Sequence, residues 1–292
     1  MIQMWKLPHM LKGTLTYLPP LNAWRQRHMS TGGTNSPEYC YSVWHRNSKV
    51  LRDVGFDPAG VNMVELGPGD TIGVGLTALL YGVRLYTGLD ILPYCRSFDP
   101  VRFFDEICKI AAADPVETRR PTLSSAEIRS IRTDLARGLT NSKIIRYVAP
   151  WTATSISKES AELVHSMGAL QYVDRLEETY QAMFSWLRPG GYGFHFVDCS
   201  AHYLSPFWNG HWAYSDLEWR LVRGRRGEVT LNRLPFGAHV KIARETGFEV
   251  LLRNPVCAAP ALPRESLAAR FRTMDDSDSS TCRGDIVLRK PK

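Results

Sequence analysis

The stretch from Val61 to Asp90 constrains the fold more than any other part of the chain. Val61-Asn62-Met63-Val64-Glu65-Leu66 has the length and apolar content of a buried parallel strand, and Gly67-Pro68-Gly69 follows it with no spacer. Helical sequence occupies residues 72–81, and Arg84-Leu85-Tyr86-Thr87-Gly88-Leu89-Asp90 reads as a second strand. A strand, turn, helix and strand in this order imply a parallel pair joined by a right-handed crossover. A parallel sheet must be covered on both faces, so the expectation is an α/β domain with helices on each side.

The remaining sequence supplies the elements for such a sheet. Strands are predicted at residues 143–148, 160–164, 192–197, 247–252 and 285–289, with helices at 37–54, 173–186 and 235–246. Ser36-Pro37-Glu38 reads as a helix start, with a Ser cap and Pro at the first helical position. Residues 31–34, 114–121 and 274–280 read as loops. At 292 residues the chain is large for one domain and short for two, so a single core with insertions is expected. We divide it into an N-terminal arm and helix (1–55) and a core domain (56–292), with a helical insertion at about 91–141 and a substrate-side segment at about 199–235.

The turn after the first strand, Gly67-Pro68-Gly69-Asp70-Thr71-Ile72-Gly73, lacks the G-x-G-x-x-G spacing of a dinucleotide site and has an acid, Glu65, two positions before its first glycine. Glycines there let the backbone approach a ligand closely. Gly73 and Gly75 are read as close helix packing. Asp90 ends the second strand 25 positions after Glu65, where a carboxylate can accept from two ribose hydroxyls; the same residue could simply cap a helix.

Glu65, Gly67 and Gly69 resemble motif I, E/D-x-G-x-G, of the class I S-adenosylmethionine-dependent methyltransferases. Trp186-Leu187-Arg188-Pro189-Gly190-Gly191 is similar to the L-x-P-G-G turn before the fifth strand of that family, and the matches extend over residues 61–197. Gln171-Tyr172 stands where many members carry Glu-His, so roles assigned to that pair elsewhere do not transfer. The resemblance implies a Rossmann-like, mostly parallel seven-stranded sheet with helices on both faces, plus the N-terminal arm and helical insertion. It implies S-adenosyl-L-methionine rather than NAD as cofactor. Glu65 would help place the cofactor's amino-acid portion, Gly67 and Gly69 would pass beneath it, and Asp90 would hold the ribose. By position alone, Trp151 would stack on the adenine, and His165-Ser166 would face the methyl group, with Ser166 taken as a cofactor contact.

Methyl transfer to a hydroxyl needs alignment and a proton acceptor. Asp198 and His202 follow the fifth strand, on the edge where open α/β sheets bind ligands, and are the candidate catalytic pair: His202 as base, Asp198 as its orienter or as a substrate contact. His211 and Trp212, in Trp208-Asn209-Gly210-His211-Trp212, are candidates for stacking on a sugar or planar acceptor. His195 lies within a strand and reads as buried structure. No metal site is expected from His195, Asp198, His202 and His211, whose spacing matches no ligand pattern.

The expected acceptor is a small molecule or glycan. Asn209-Gly210-His211-Trp212 and Asn232-Arg233-Leu234 resemble segments of methyltransferases associated with polysaccharide biosynthesis. Two alternatives stay open: a nucleic-acid methyltransferase using Arg223-Gly224-Arg225-Arg226, and a cofactor-binding protein without catalysis. The net charge of +7 is diffuse and comes without a nucleic-acid motif, so nucleic acid is not the expected partner. Six cysteines with no C-x-x-C pair fit a reducing cytoplasm, and no apolar run approaches a bilayer span. The basic, aromatic arm could touch a membrane surface, but Pro8, Pro19 and Pro20 favour a packed arm. Oligomeric state is not legible.

Overall fold

Strand β1 (Asn62–Leu66) is apolar except for Asn62 and Glu65 and lies at the middle of the sheet, where both faces are buried. In the computed structural model, which describes residues 4–21, 33–95, 98–116, 123–225 and 230–292, it pairs in parallel with β2 (Leu85–Leu89) on one side and β4 (Ala161–Met167) on the other. β3 (Ile145–Val148) extends the sheet beyond β2, and β5 (Leu187–Asp198) extends it beyond β4, both in parallel. β7 (Thr281–Arg289) then inserts antiparallel between β5 and β6 (Glu249–Cys257). The resulting seven-stranded order is β3-β2-β1-β4-β5-β7-β6.

Two apolar layers close the sheet. On one face lie α2 (Pro37–Asp53), α3 (Gly73–Leu80) and α4 (Pro100–Ala113), which bury Trp44, Leu51, Leu79 and Phe104 against Met63 and Tyr86. On the other lie α6 (Leu176–Trp186) and α8 (Phe236–Thr246), which bury Tyr180, Met183, Trp186 and Val240 against Val64, Val164 and Ile286. Helix α2 starts as its sequence suggests, with Ser36 Oγ accepting from the Tyr39 N–H at 3.1 Å and Pro37 in the first turn. Between β2 and β3 the chain forms α4 and then α5 (Ser125–Leu135), the latter opened by a reciprocal Ser124–Glu127 capping box. The expected packing role of the α3 glycines is met: a Cβ on Gly73 would sit 2.5 Å from Cys40 Sγ, and one on Gly75 only 2.3 Å from the Tyr86 ring.

Several boundaries differ from expectation; β6 runs on to Cys257 and β7 starts at Thr281. β4 continues to Met167, so His165 and Ser166 lie inside the strand, on opposite faces. β5 begins at Leu187, with Ala161 opposite Leu187 and a bulge before Leu163, which absorbs Pro189-Gly190-Gly191 into the strand. Residues 274–280, read as a loop, contain the short helix α9 (Asp276–Ser280), which leads directly into β7. Residues 31–32, 117–121 and 226, part of the predicted loops and of the basic turn, lie outside the described residues.

Above the C-terminal end of β5, the chain forms a cap. Asn209 clamps Leu262 through two 2.9 Å hydrogen bonds, its Nδ2 donating to the Leu262 carbonyl and its Oδ1 accepting from the Leu262 N–H. α7 (Asp216–Arg223) continues the cap, and α1 (Leu7–Leu15) packs beside it so closely that a Cβ on Gly13 would fall 1.9 Å from the Leu221 carbonyl oxygen.

Candidate active site

Because β1 to β5 are parallel, their C-terminal ends share one edge, where ligands of open α/β sheets bind. Along that edge, in spatial order, stand Trp151 after β3, Asp90 after β2, the Gly67–Gly69 turn after β1, Gly168 after β4 and the Asp198–His202 pair at the end of β5. From Asp90 to Asp198 is three strand spacings, about 14 Å.

The turn is glycine-dependent: Gly67 and Gly69 have φ of +70° and +80°, values that disfavour side chains. The Gly67 N–H donates to the Leu89 carbonyl at 2.8 Å, tying the turn to β2. The Gly69 N–H donates to Asp90 Oδ2 at 3.2 Å, and the Tyr147 hydroxyl donates to the same oxygen at 3.2 Å. Oδ1 receives no hydrogen bond among the described residues. Burial pushes the Asp90 carboxyl up to about 7, against the Gly69 and Tyr147 donors, which pull it down, and with a further upward push from Glu65 and Asp70. The main chain of Asp90 accepts from the Trp151 N–H at 3.1 Å, and the Trp151 ring packs edge-on to Trp186, 5.5 Å away.

Glu65 is fully buried, and both of its oxygens are engaged. Oε2 accepts from the Tyr86 hydroxyl at 2.6 Å, and Oε1 lies 3.1 Å from His165 Nδ1. The other His165 nitrogen, Nε2, is 2.9 Å from the Asn47 amide nitrogen of α2, while Asn47 Oδ1 accepts from Arg46. These partners select one tautomer: Asn47 donates to Nε2, and Nδ1–H donates to Glu65. The acid of the turn is thus braced by β2, β4 and α2 at once. Burial and the Glu65 charge push the Tyr86 hydroxyl well above the usual range, so it stays a donor.

On the opposite face of β4, Ser166 Oγ is 2.9 Å from His195 Nδ1, and both residues are buried. Burial, aided by His165 and His239, drives His195 down to about 3, so the imidazole is neutral. The structure therefore does not bring Ser166 to the open edge: its hydroxyl is occupied within the sheet layer.

Asp198 and His202 do come together. His202 Nε2 is 4.0 Å from Asp198 Oδ2, and both side chains are about one quarter exposed. Asp198 Oδ1 accepts from the Ser200 N–H at 2.9 Å, and His202 is held at a φ of +48°, with the Tyr172 ring 5.8 Å from its own. A non-glycine residue in the left-handed region is uncommon and clusters at functional loops. Burial and the neighbouring Tyr203 and Asp198 keep the Tyr172 hydroxyl protonated.

His211 and Trp212 lie behind this pair. Both are almost fully buried, with rings 4.6 Å apart; Trp212 Nε1 donates to the Arg233 carbonyl at 3.0 Å. They present no ring face at the surface, so the stacking platform read from their aromatic setting is instead cap core. Burial, Arg233 and His202 take His211 down to about 3, and its Nδ1 has no hydrogen-bond partner among the described residues. Asn232 locks the cap to the segment after β4, and Arg233 ties the cap together internally. Asn232 Nδ2 donates to the Leu170 and Val173 carbonyls at 2.9 and 3.0 Å. The buried Arg233 donates to the Tyr214 carbonyl and to Asp216, with its guanidinium over the Trp219 ring. Of the basic turn, Arg223 is paired with Asp174. Among the described residues, no three of His, Cys, Asp and Glu gather as a metal-holding group.

Sequence reasoning missed Tyr147, Tyr86 and Asn47, and it placed His165 at the strand end, not within the brace. A Tyr in a short strand carries no signal of the carboxylate it will meet. Only the β2–β3 register, which sets Tyr147 beside Gly88, reveals the contact.

A scan of protein-family models and a search of curated proteins find no match to this sequence. Solved structures do match. A protein of Galdieria sulphuraria provisionally assigned as a sarcosine dimethylglycine methyltransferase aligns with a TM-score of 0.50 at 11% identity, over 90% of this chain and 92% of its own. An S-adenosylmethionine-dependent methyltransferase of Mesorhizobium loti aligns at 0.46 and 16% identity, over 88% of this chain and all of its own. Phosphoethanolamine N-methyltransferase 2 of Haemonchus contortus, solved with S-adenosyl-L-methionine, aligns at 0.47 and 14% identity over 85% of this chain, which spans only 53% of that protein. At these identities the likeness is one of fold: the chain has the seven-stranded, Rossmann-like architecture seen in class I methyltransferases.

Proposed function

We propose that this chain is an S-adenosylmethionine-dependent methyltransferase of the class I type that O-methylates a hydroxyl of a small molecule or glycan. The observation that carries the reading is Asp90. Its carboxylate stands at the end of β2 with Oδ2 held by Gly69 and Tyr147 and with Oδ1 left over, directly beside a turn whose two glycines bend with positive φ. A fixed carboxylate with a spare oxygen suits a ribose diol, and a backbone without side chains suits the portion of a ligand that crosses β1. The residues fit S-adenosylmethionine, with Asp90, Gly67 and Gly69 as its contacts and Trp151 as the flank of the adenine. Glu65 acts from behind the turn, through the brace with Tyr86 and His165.

When bound, the cofactor supplies an electrophilic methyl carbon. The chain's own task is to orient the acceptor and to take its proton. Asp198 lies on the Nε2 side of His202, so a proton on Nε2 faces the carboxylate, and Nδ1 is the nitrogen left to accept from a hydroxyl. The 4.0 Å separation is longer than a hydrogen bond and shortens when an acceptor fills the edge. His211 and Trp212 support this pair from the cap core. The segments around Asn209 and Asn232, which resemble those of methyltransferases associated with polysaccharide biosynthesis, are the ground for the glycan half of the proposal. On this reading residues 56–292 form the catalytic domain, with the acceptor side at about 199–235. Six free thiols fit a reducing, cytoplasmic setting.

The test is release of S-adenosylhomocysteine with a panel of hydroxylated small molecules and glycans. His202→Gln lowers kcat by about 10²–10³-fold with cofactor affinity intact, as expected for loss of a general base. Full activity in that variant would remove His202 from the mechanism, and turnover on nucleic acid in place of hydroxylated acceptors would replace the acceptor class.

A further inference from the structure

Helix α1 has two apolar sides. The inner side is anchored: Trp5 packs edge-on against Tyr214 at 5.2 Å, and Lys6 donates to the Ala213 carbonyl at 2.6 Å and pairs with Glu218 at 3.1 Å. Gly13 lies on the α7 backbone, and the Thr16 hydroxyl accepts from the Arg225 N–H at 2.7 Å. The outer side carries Leu7, Leu11 and Leu15, spaced by four residues and hence on one face, with Met4 in the turn before the helix and Leu18 in the bend after it. All five are exposed, Met4 at 83% and Leu11 at 65%, and Leu217 of the adjoining α7 is exposed at 69%. A row of this kind is rare on a soluble surface and marks an interaction site.

The rim of the row decides what covers it. Lys12 is exposed on α1, Arg220 on α7 and Arg225 just after it, and the Arg225 guanidinium lies 6.0 Å from the Tyr17 ring; Asp216, the exposed acid of α7, is paired with Arg233 and Arg270. A second copy docking by this face would bring two rims of the same sign together. An apolar stripe flanked by cations and an aromatic ring is complementary to anionic headgroups over acyl chains.

We propose that the outer face of α1 docks this protein peripherally on an anionic lipid bilayer. The docking is independent of the methyltransferase reading. It has a geometric consequence for the candidate site, because Trp5 and Met10 pack into the same cluster as Leu204 and Tyr172, which flank His202. A bilayer under α1 would set that end of the sheet edge near the membrane surface.

The experiment is co-sedimentation of the 292-residue protein with vesicles of phosphatidylcholine alone or containing about one third phosphatidylglycerol. The wild type binds the anionic vesicles at least about tenfold more strongly than the neutral ones, and high salt weakens the binding. Leu11→Glu with Leu15→Glu lowers binding at least about tenfold while leaving the circular dichroism and Tm unchanged, since both side chains are exposed. Lys12→Gln with Arg225→Gln reduces only the preference for anionic lipid. Failure of folded wild type to bind anionic vesicles, or equal binding by the Leu11/Leu15 variant, overturns the proposal. A dimer in ultracentrifugation that the Leu11/Leu15 variant dissociates also overturns it, because a second copy then covers the face.

Discussion

A carboxyl group set among a backbone N–H, a phenol and the buried end of a strand has a protonation equilibrium fixed by competition. At Asp90 burial wins over the two donors and brings the group to about 7. A ligand that donates to Oδ1 favours the ionised form, so the bound protein has the lower pKa and binding strengthens with rising pH. Below about pH 7 the free carboxyl must first lose its proton, and the affinity for S-adenosylmethionine falls about tenfold between about pH 8 and pH 6. Titration calorimetry in buffers of different ionisation enthalpy checks this through release of about one proton per ligand at the lower pH. A flat profile would mean that Asp90 does not meet the ligand. At this scale the sequence was informative where function depends on backbone spacing: the acid, the two turn glycines and the strand-end Asp recur at distances set by the chain itself. It was uninformative for Tyr147, which reaches Asp90 from 57 residues away, and for His211 and Trp212, whose aromatic setting reads equally as platform or core.

Helix α3 follows the Gly67–Gly69 turn, and its glycines let it lie directly on the Tyr86 ring of β2. Its glycines were legible as packing positions because a helix that follows a ligand-binding turn must lie close to the sheet. Gly75→Ala would place a methyl group 2.3 Å from the Tyr86 ring, which must move and loosen its bond to Glu65. Overpacking of this kind costs about 1–3 kcal/mol, and the Tm falls by several degrees, about 2–4 °C per kcal/mol at this size. Thermal unfolding followed by circular dichroism measures it; an unchanged Tm would show that the brace tolerates displacement. The ends of elements were read less well than their existence. β5 starts five residues before the expected Tyr192, because pairing with Ala161 carries the strand through Pro189-Gly190-Gly191, which punctuation alone reads as a turn. Residues 276–280 form a helical turn because they must redirect the chain into β7, a tertiary demand invisible in a polar, acidic run.

For the whole molecule, the five parallel strands follow from one strand-turn-helix-strand unit, and the antiparallel β6–β7 pair completes the sheet. The order β3-β2-β1-β4-β5-β7-β6 places the turn glycines, Asp90, Trp151, Asp198 and His202 on one edge, although they span residues 67–202. The cap and α1 were not legible in arrangement, since their contacts pair the first 16 residues with residues 213–225. The proposed function depends on binding of S-adenosylmethionine, which calorimetric titration into the wild type and Asp90→Ala, with NAD as control, measures. Wild-type binding is expected on the order of micromolar, with at least about tenfold weaker binding in the variant and none to NAD. A correctly folded wild type that does not bind S-adenosylmethionine, or an Asp90→Ala variant that binds it undiminished, would overturn the proposed function.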